Sequence, residues 1–508
     1  MPQAETLTLN ADALTIEQVE AVARGGRAVA LGEAARSAVQ ASRAVIEIAV
    51  SGSRAIYGVN TGFGSLSKVR VESRDLESMQ ENIIRSHAAG VGEPLPDEVV
   101  RGMMLLLAAS LGRGHSGVRV EVVERIIAML NAGITPVVPS RGSVGASGDL
   151  APLAHAALAM LGEGQVRVRG NLQPAAEALA AANITPLKPQ AKEGLALLNG
   201  THMMAAIGAL AVSDALRLID GACVAAAMAV DAARGSDSWL DARIHAVRRQ
   251  PGQVEIAKLM RGLLEGSQIV PSHRDDDPRV QDPYCLRASP QVLGAALDAI
   301  ARCSWVVNYE LGAVTDNPLV FPEQGGEILS GGNFHGMPLA IAFDHLKIAL
   351  CHIAGIAERR IFWVLSGHDP EARQRPHLAA TPGLSSGYMI VQYTAAACCN
   401  ELQVLAHPAS VGNISTSAGI EDYNSMGATA ALHTRMAIER ATDVVAMELL
   451  CMAQGIESHR PLRSGAGVER ALALLRTKVA PLDADRSPAP DIVAVAALVR
   501  AGAIANAR

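Results

Sequence analysis

Aromatic side chains are scarce: Trp, Tyr and Phe together make up 3% of the 508 residues. A core of any size must then be packed with Ala, Leu, Val, Ile and Met. Ala, Leu and Met are good helix formers, and Ala lets helices approach closely, so a mainly helical protein is expected. A basic excess is also absent. The 44 Lys and Arg stand against 50 Asp and Glu, a formal net charge of −6, and no basic stripe is present, which argues against nucleic acid as a partner. Long uncharged runs are missing too. Asp214 and Asp220 interrupt one apolar stretch, Asp231 another, and Asp344 with Lys347 a third, so no run reaches the roughly 18 residues of a membrane span. The N-terminal MPQAETLTLN lacks a basic segment followed by an apolar one, so no secretory signal is expected and a cytoplasmic location is. The seven cysteines are odd in number and form no C-x-x-C pair. That pattern supports neither a zinc site nor a disulfide framework, and the expectation is buried free thiols with no bound metal.

What is present is helical patterning around two glycine-rich loops. Hydrophobic residues at 49% and charged residues at 19% describe a globular chain, long enough for two or three domains or one large helical body. Thr15 followed by Ile16, Glu17 and Gln18 is a capping box, and Gly25-Gly26 ends the helix it opens. Tyr57-Gly58-Val59-Asn60-Thr61-Gly62-Phe63-Gly64 and Gly142-Ser143-Val144-Gly145-Ala146-Ser147-Gly148-Asp149 read as loops. From about Leu195 onward, apolar residues recur at helical spacing over roughly 201–234, 290–313, 335–366, 386–406 and 426–455. These segments are long and apolar on more than one face, as expected of helices inside a bundle or at subunit contacts. Residues 367–384, rich in Pro, Arg, Gln and Gly, read as a loop. Strand-like pieces such as Val166-Arg167-Val168 could make only a small accessory sheet. The pattern divides into an N-terminal domain over 1–200 and a long helical bundle with a C-terminal helical region over 201–508.

The second glycine loop is not a phosphate loop. Gly148 is followed by Asp149 where a P-loop needs Lys and Ser or Thr, and no strand precedes the loop as a dinucleotide site requires. Another chemistry suits it. In a tightly bent chain the amide nitrogen of Gly148 can attack the carbonyl of Ala146. Ring closure with loss of two waters leaves an imidazolone in which Ser147 has become an exocyclic methylene. Glycine offers an unhindered nitrogen and permissive dihedrals, alanine fits the bend, and serine carries the hydroxyl that leaves. The product is an electrophile that no encoded side chain provides.

The longer string GSVGASGDLAPLAH resembles the signature of the aromatic amino acid ammonia-lyase family, the histidine and phenylalanine ammonia-lyases whose cofactor is 4-methylideneimidazol-5-one (MIO). The resemblance runs from about residue 57 to about 495 and lies closest to the histidine ammonia-lyases. Its blocks are YGVNTGFG at 57–64, SHAAG at 86–90, KEGLALLNGT at 192–201, VQDPYCLR at 280–287, GGNFH at 331–335 and a glutamate at Glu421. It implies a mainly α, fumarase/aspartase-like architecture, with an N-terminal domain carrying the MIO loop and a long central helix bundle. It also implies homotetramers in which each active site is built from more than one subunit. The cofactor would be MIO formed autocatalytically from Ala146, Ser147 and Gly148, with no external cofactor.

The resemblance also assigns roles. Tyr57 is the general base, a phenol whose ordinary pKa near ~10 must be lowered for the task. Tyr284 supports the proton chemistry or holds the ring of a neighbouring site. Arg287 clamps the substrate carboxylate, which its planar fork matches bidentately. Asn199 and Gln281 orient the carboxylate or the MIO carbonyl without adding charge. Phe334 lines the wall. His87 and Glu421 select the substrate, because a neutral imidazole offers one donor and one acceptor that a histidine and a carboxylate can satisfy. A phenyl ring would leave them unpaired.

Three positions depart from the histidine-lyase pattern. Ile420 stands beside Glu421 where glutamine is usual, and His202 replaces a glutamine after Gly200-Thr201. An apolar stretch is replaced by Arg373-Gln374-Arg375-Pro376-His377-Leu378, whose cations could favour a modified or more acidic substrate. The expected activity is elimination of ammonia from L-histidine to trans-urocanate. The alternatives are an MIO lyase or 2,3-aminomutase acting on another aromatic or histidine-like amino acid, and a non-catalytic helical scaffold.

Overall fold

The computed structural model describes residues 5–52, 56–61 and 71–506, so Gly62, Phe63 and Gly64 of the first glycine loop lie outside the described residues. Helices dominate. The first helix is α1 (Ile16–Ala23), and Thr15 caps it as the sequence predicts. Thr15 Oγ1 accepts the Gln18 N–H at 3.2 Å while Gln18 Oε1 accepts the Thr15 N–H at 3.0 Å. There follow α2 (Glu33–Ser51), α3 (Leu76–His87), α4 (Asp97–Gly112), α5 (Val120–Asn131), α6 (Leu150–Met160) and the short α7 (Glu193–Leu198). The long helices are α8 (His202–Ala232), α9 (Ser289–Glu310), α10 (Met337–Ser366), α11 (Met389–Leu405) and α12 (Gly427–Glu457). They match the five periodic segments read from sequence to within a few residues. The described strands make only small two- and three-stranded sheets. The largest is antiparallel and pairs Ile134–Pro136, Gln165–Val168 and Asn171–Pro174.

Two compact units can be described separately. The first comprises Met1–Ser213, Ser304–Phe343 and Ala409–Leu432. Here α4 packs on α1 and α5, and α3, α6 and α7 form a second group. Gly102 on α4 shows how close the axes come, since a Cβ there would stand 3.1 Å from the Ala206 methyl at the start of α8. Small residues at such contacts substitute for the missing aromatics. A buried ion pair joins Lys192 Nζ to Asp316 Oδ2 at 2.6 Å.

The second unit comprises Asp214–Cys303, Asp344–Pro408 and His433–Arg508. Its apolar interior holds a guanidinium with every polar group answered. Arg360 pairs with Glu448, both fully buried, through Nε and, at 3.0 Å, through a terminal nitrogen. The other terminal nitrogen donates to Ser289 Oγ at 3.0 Å. Lys347 and Asp344 form a second buried pair at 2.7 Å. α10, which carries Asp344, Lys347 and Arg360, is the one described helix long and apolar enough to cross a membrane, and most of its apolar window is buried. No disulfide joins the seven cysteines; Cys223, Cys303 and Cys451 are buried and the other four half-buried.

Large apolar side chains also remain exposed on the long helices. In the first unit Tyr309 of α9 is 69% exposed, and in the second Val404 of α11 is 71% exposed.

Breaking the Arg360–Glu448 pair from one side leaves a naked buried carboxylate. Arg360→Met is expected to cost about 3–5 kcal/mol of stability, and adding Glu448→Leu should recover most of it. Denaturant unfolding of the two variants tests this, and a single variant as stable as wild type contradicts it.

Candidate active site

The loop from Gly142 to Asp149 links the strand Pro139–Arg141 to α6. Its bend is held from three directions within the first unit. From inside, Ser143 Oγ lies 2.9 Å from Asp149 Oδ1 and 3.1 Å from the Gly148 carbonyl, and accepts the Gly145 N–H at 3.2 Å. From α8, the N–H groups of Met203 and Met204 each donate to Asp149 Oδ2 at 3.0 Å. From two distant turns, Gly336 N–H and Ser425 Oγ donate to the Gly145 carbonyl at 3.1 and 2.9 Å, and Met426 N–H donates to Val144 O at 2.9 Å.

Gly148 has φ +71°, and a Cβ there would lie 2.1 Å from the Gly200 carbonyl oxygen. That oxygen accepts the Asp149 N–H at 2.8 Å. Only glycine combines this left-handed backbone with so close an approach. Ala146 is buried beside it and Ser147 is half-buried.

Ser147 Oγ donates to Glu421 Oε1 at 3.3 Å. Glu421 Oε2 accepts Thr416 Oγ1 at 3.0 Å, and the backbones of Thr416 and Glu421 pair at 2.9 and 3.3 Å. Thr416 therefore supplies the support that a polar side chain at 420 would otherwise give, while Ile420 itself is 67% exposed. His87 is the last residue of α3, with Nδ1 3.1 Å from Ser86 Oγ. Burial lowers its pKa, opposed in smaller part by a bond to the Ile83 carbonyl and by the charge of Glu421, so the imidazole is held toward its neutral form within reach of that carboxylate.

Asn199 ends α7 and is buried. Its Nδ2 donates to Asn317 O at 3.0 Å, while Oδ1 has no partner among the described residues. Tyr57 is half-buried in a turn whose next residue, Gly58, packs on Leu195 and Pro318, beside Asn199 and Asn317 in the chain. Phe334 is half-buried in the turn that ends at Gly336. Tyr57, His87, Ala146, Ser147, Gly148, Asn199, Phe334 and Glu421 thus all belong to the first unit and to segments linked by these bonds and contacts.

Gln281, Tyr284 and Arg287 belong to the second unit. Asp282 organises them: its Oδ2 accepts Ser236 N–H at 2.9 Å, Ser236 Oγ at 2.6 Å and Trp239 Nε1 at 2.9 Å. Its carbonyl accepts Arg287 Nε at 3.0 Å. The Arg287 guanidinium lies 4.5 Å above the ring of Tyr284, itself 72% exposed. Neither terminal nitrogen of Arg287 donates to a described residue. Gln281 is exposed at the edge of a cavity of about 1480 Å³ in this unit.

Sequence reasoning left several supporting residues without a role, among them Ser143, Asp149, Thr416 and Ser425. Their signal is weak because serine, threonine and aspartate flank most loops. Asp149 is the most consequential. Full burial pushes its carboxyl up to about 7 against the lowering effect of the Met204, Ser143 and Met203 donors. His202, one turn into the same neighbourhood, is pushed down to about 3 by burial, and neither ring nitrogen has a described partner. It is a neutral filler where glutamine is usual.

Comparisons with known proteins agree on one family. The aromatic amino acid lyase pattern matches residues 14–477. A histidine ammonia-lyase of Deinococcus radiodurans is 50% identical over 481 residues, covering 94% of this chain and 91% of that protein. The crystal structure of histidine ammonia-lyase from Trypanosoma cruzi superposes with a TM-score of 0.91 at 38% identity, covering 99% of this chain and 95% of that one. A tyrosine aminomutase from Streptomyces globisporus superposes with a TM-score of 0.93 at 34% identity, covering 99% and 98%.

Asp149 makes a testable contribution to pH dependence. Its folded pKa is raised, so the stability it confers is fully present below the unfolded value near ~4 and is lost as pH rises to about 7. Relative to Asp149→Asn, which does not titrate, wild type should lose on the order of 4 kcal/mol between those limits. Denaturant midpoints measured across that range give the answer, and a flat difference would show that Asp149 stays ionised.

Proposed function

The chain belongs to the aromatic amino acid lyase family, and from that premise we propose that it eliminates ammonia from L-histidine to give trans-urocanate. The observation that carries the substrate is Glu421. Its carboxylate, fixed by Thr416, lies 3.3 Å from Ser147 Oγ and within the electrostatic reach of a His87 held neutral. A carboxylate accepts and a neutral imidazole both donates and accepts, so the pair complements the ring of histidine. A phenyl ring would bury both without partners. The named histidine ammonia-lyases support the same reading.

The family is of the MIO-dependent type, and we assign the group to Ala146, Ser147 and Gly148. The fit rests on the clamped bend, on Gly148 having no room for a side chain, and on the unpartnered Asn199 Oδ1. Once formed, the group supplies an electrophile that takes up the substrate amine and improves it as a leaving group. The side chains do the rest. Tyr57 Oη removes the β-proton as general base. Arg287 holds the substrate carboxylate with its two terminal nitrogens, since Nε is already committed to the Asp282 carbonyl. Stacking on Tyr284 fixes the plane of that fork, and Tyr284 assists the proton chemistry. Asn199 and Gln281 orient neutral or anionic oxygens, and Phe334 walls the site.

We further propose a homotetramer whose active sites draw on more than one subunit. The exposed ring of Tyr284, beneath the half-buried Arg287, and the exposed apolar residues of the long helices are what such an assembly would cover. The resemblance to a tyrosine aminomutase keeps a second outcome in view, a 2,3-shift of the amine, which product analysis separates from urocanate.

Purified protein given L-histidine should accumulate urocanate, read by its ultraviolet absorbance, with a preference over phenylalanine of ~10³-fold or more. His87→Phe should erode that preference, and Glu421→Ala should reduce histidine turnover more than phenylalanine turnover. Protein that carries the cofactor yet leaves histidine untouched would rule out this substrate. Ser147→Ala should remain folded, lose the mass deficit of two waters at Ala146–Gly148, and lose activity by at least ~10³-fold. Near-normal turnover in that variant would refute the MIO assignment.

A further inference from the structure

We propose that the buried ion pair Lys192–Asp316 is a positioning device for the Asn199 amide in the elimination reaction, an inference that rests on the assignment of Asn199 to the site. Every link is a hydrogen bond within the first unit. Lys192 Nζ donates to Asp316 Oδ2 at 2.6 Å. Asp316 Oδ1 accepts the N–H of Asn317 at 2.7 Å. The Asn317 carbonyl in turn accepts Asn199 Nδ2 at 3.0 Å. Lys192 directly precedes α7 and Asn199 directly follows it, so one six-residue helix is tied at both ends to a single dipeptide.

This chain of bonds decides which way the amide faces. A carbonyl can only accept, so the nitrogen of Asn199 must face Asn317 and Oδ1 must face away. An amide turned over would set two oxygens against each other at 3.0 Å. Oδ1 has no partner among the described residues. Because the amide is planar, fixing one of its N–H groups fixes the direction of the other and of Oδ1 as well. The same stretch of chain reaches other residues assigned to the site. Asn317 Oδ1 accepts the N–H of Gly331 at 2.8 Å, in the segment that carries Phe334. A Cβ on Gly58, next to Tyr57, would lie 2.4 Å from Leu195 Cδ2 of α7 and 3.4 Å from Pro318 Cδ.

Stability alone does not account for the pair. Both side chains are buried, Lys192 completely. Two charges withdrawn from water contribute little beyond what an apolar pair of similar volume would. Lys192 also holds φ +74°, a left-handed backbone that a side chain makes costly and that glycine adopts freely. What an apolar pair cannot supply is an acceptor for the Asn317 N–H. Asp316 supplies it with one oxygen, and Lys192 answers the other, so the carboxylate is fixed from both sides.

The test compares two double variants of the full-length protein, Lys192→Met with Asp316→Asn and Lys192→Met with Asp316→Leu. Both remove the two charges, and both should unfold at a denaturant concentration close to that of wild type. Only the Asn variant keeps an oxygen for the Asn317 N–H. It should hold kcat/KM within about threefold of wild type, while the Leu variant should lose at least about tenfold with the two-water mass deficit at Ala146–Gly148 intact. In an Asn199→Ala background the Leu variant should cost less than about twofold more, because the residue it acts through is gone. Asp316→Glu, which keeps the charge and displaces the oxygens by one methylene, should lower kcat/KM by at least about fivefold. Equal kcat/KM in the Asn and Leu variants, an undiminished cost in the Asn199→Ala background, or wild-type turnover in Asp316→Glu overturns the proposal. Wild-type turnover in Asn199→Ala alone overturns the assignment of Asn199 and the proposal with it. The comparison uses whichever amino acid wild type turns over, so a wrong substrate shows in wild type and a wrong positioning role only in the variants.

Discussion

The carboxyl group of Asp149 is the constraint around which the first unit is arranged. One oxygen meets Ser143 within the loop, and the other takes the first N–H groups of the 31-residue helix α8. Those N–H groups have no partner inside the helix, so a loop residue satisfies them and is fixed by them in return. The helix start, the Gly148–Gly200 approach and the bend at 145–148 are consequently one structure. Burial makes the arrangement expensive for a charged acid, which is visible in the raised pKa.

Each unit has its own buried support. Small residues set the helix spacing, and paired charges such as Lys192–Asp316 and Arg360–Glu448 are buried with complete partners. Glu421 and His87 are only half-buried and retain capacity for a guest, as does the orphan Oδ1 of Asn199.

Much of the architecture was legible from the chain alone, and the reason differs by feature. The capping box at Thr15 is a local interaction over three residues, so its pattern survives intact in the fold. The five long helices were visible because burial on several faces leaves an unbroken apolar periodicity. Glu421 was found by resemblance, but its support by Thr416 was not, since a 3₁₀ turn at Ser417–Gly419 brings the two together without any periodic signal. Ser425 and Gly336 were invisible for a different reason. They act on Gly145 from 280 and 191 positions downstream, and nothing in composition or spacing announces a contact at that range.

The distance of those clamps along the chain bears on biosynthesis. The loop leaves the ribosome long before residues 336 and 425 have been polymerised. At roughly 5–20 residues per second, the lag amounts to some tens of seconds during which the tripeptide is an ordinary flexible segment. The hydrogen bonds from Gly336 and Ser425 to the Gly145 carbonyl can form only after those residues have been made. Any chemistry that needs the complete set of clamps therefore follows synthesis of residue 426, and a chain ending before residue 425 would keep the clamps from Ser143, Met203, Met204 and Gly336 and lack those from Ser425 and Met426.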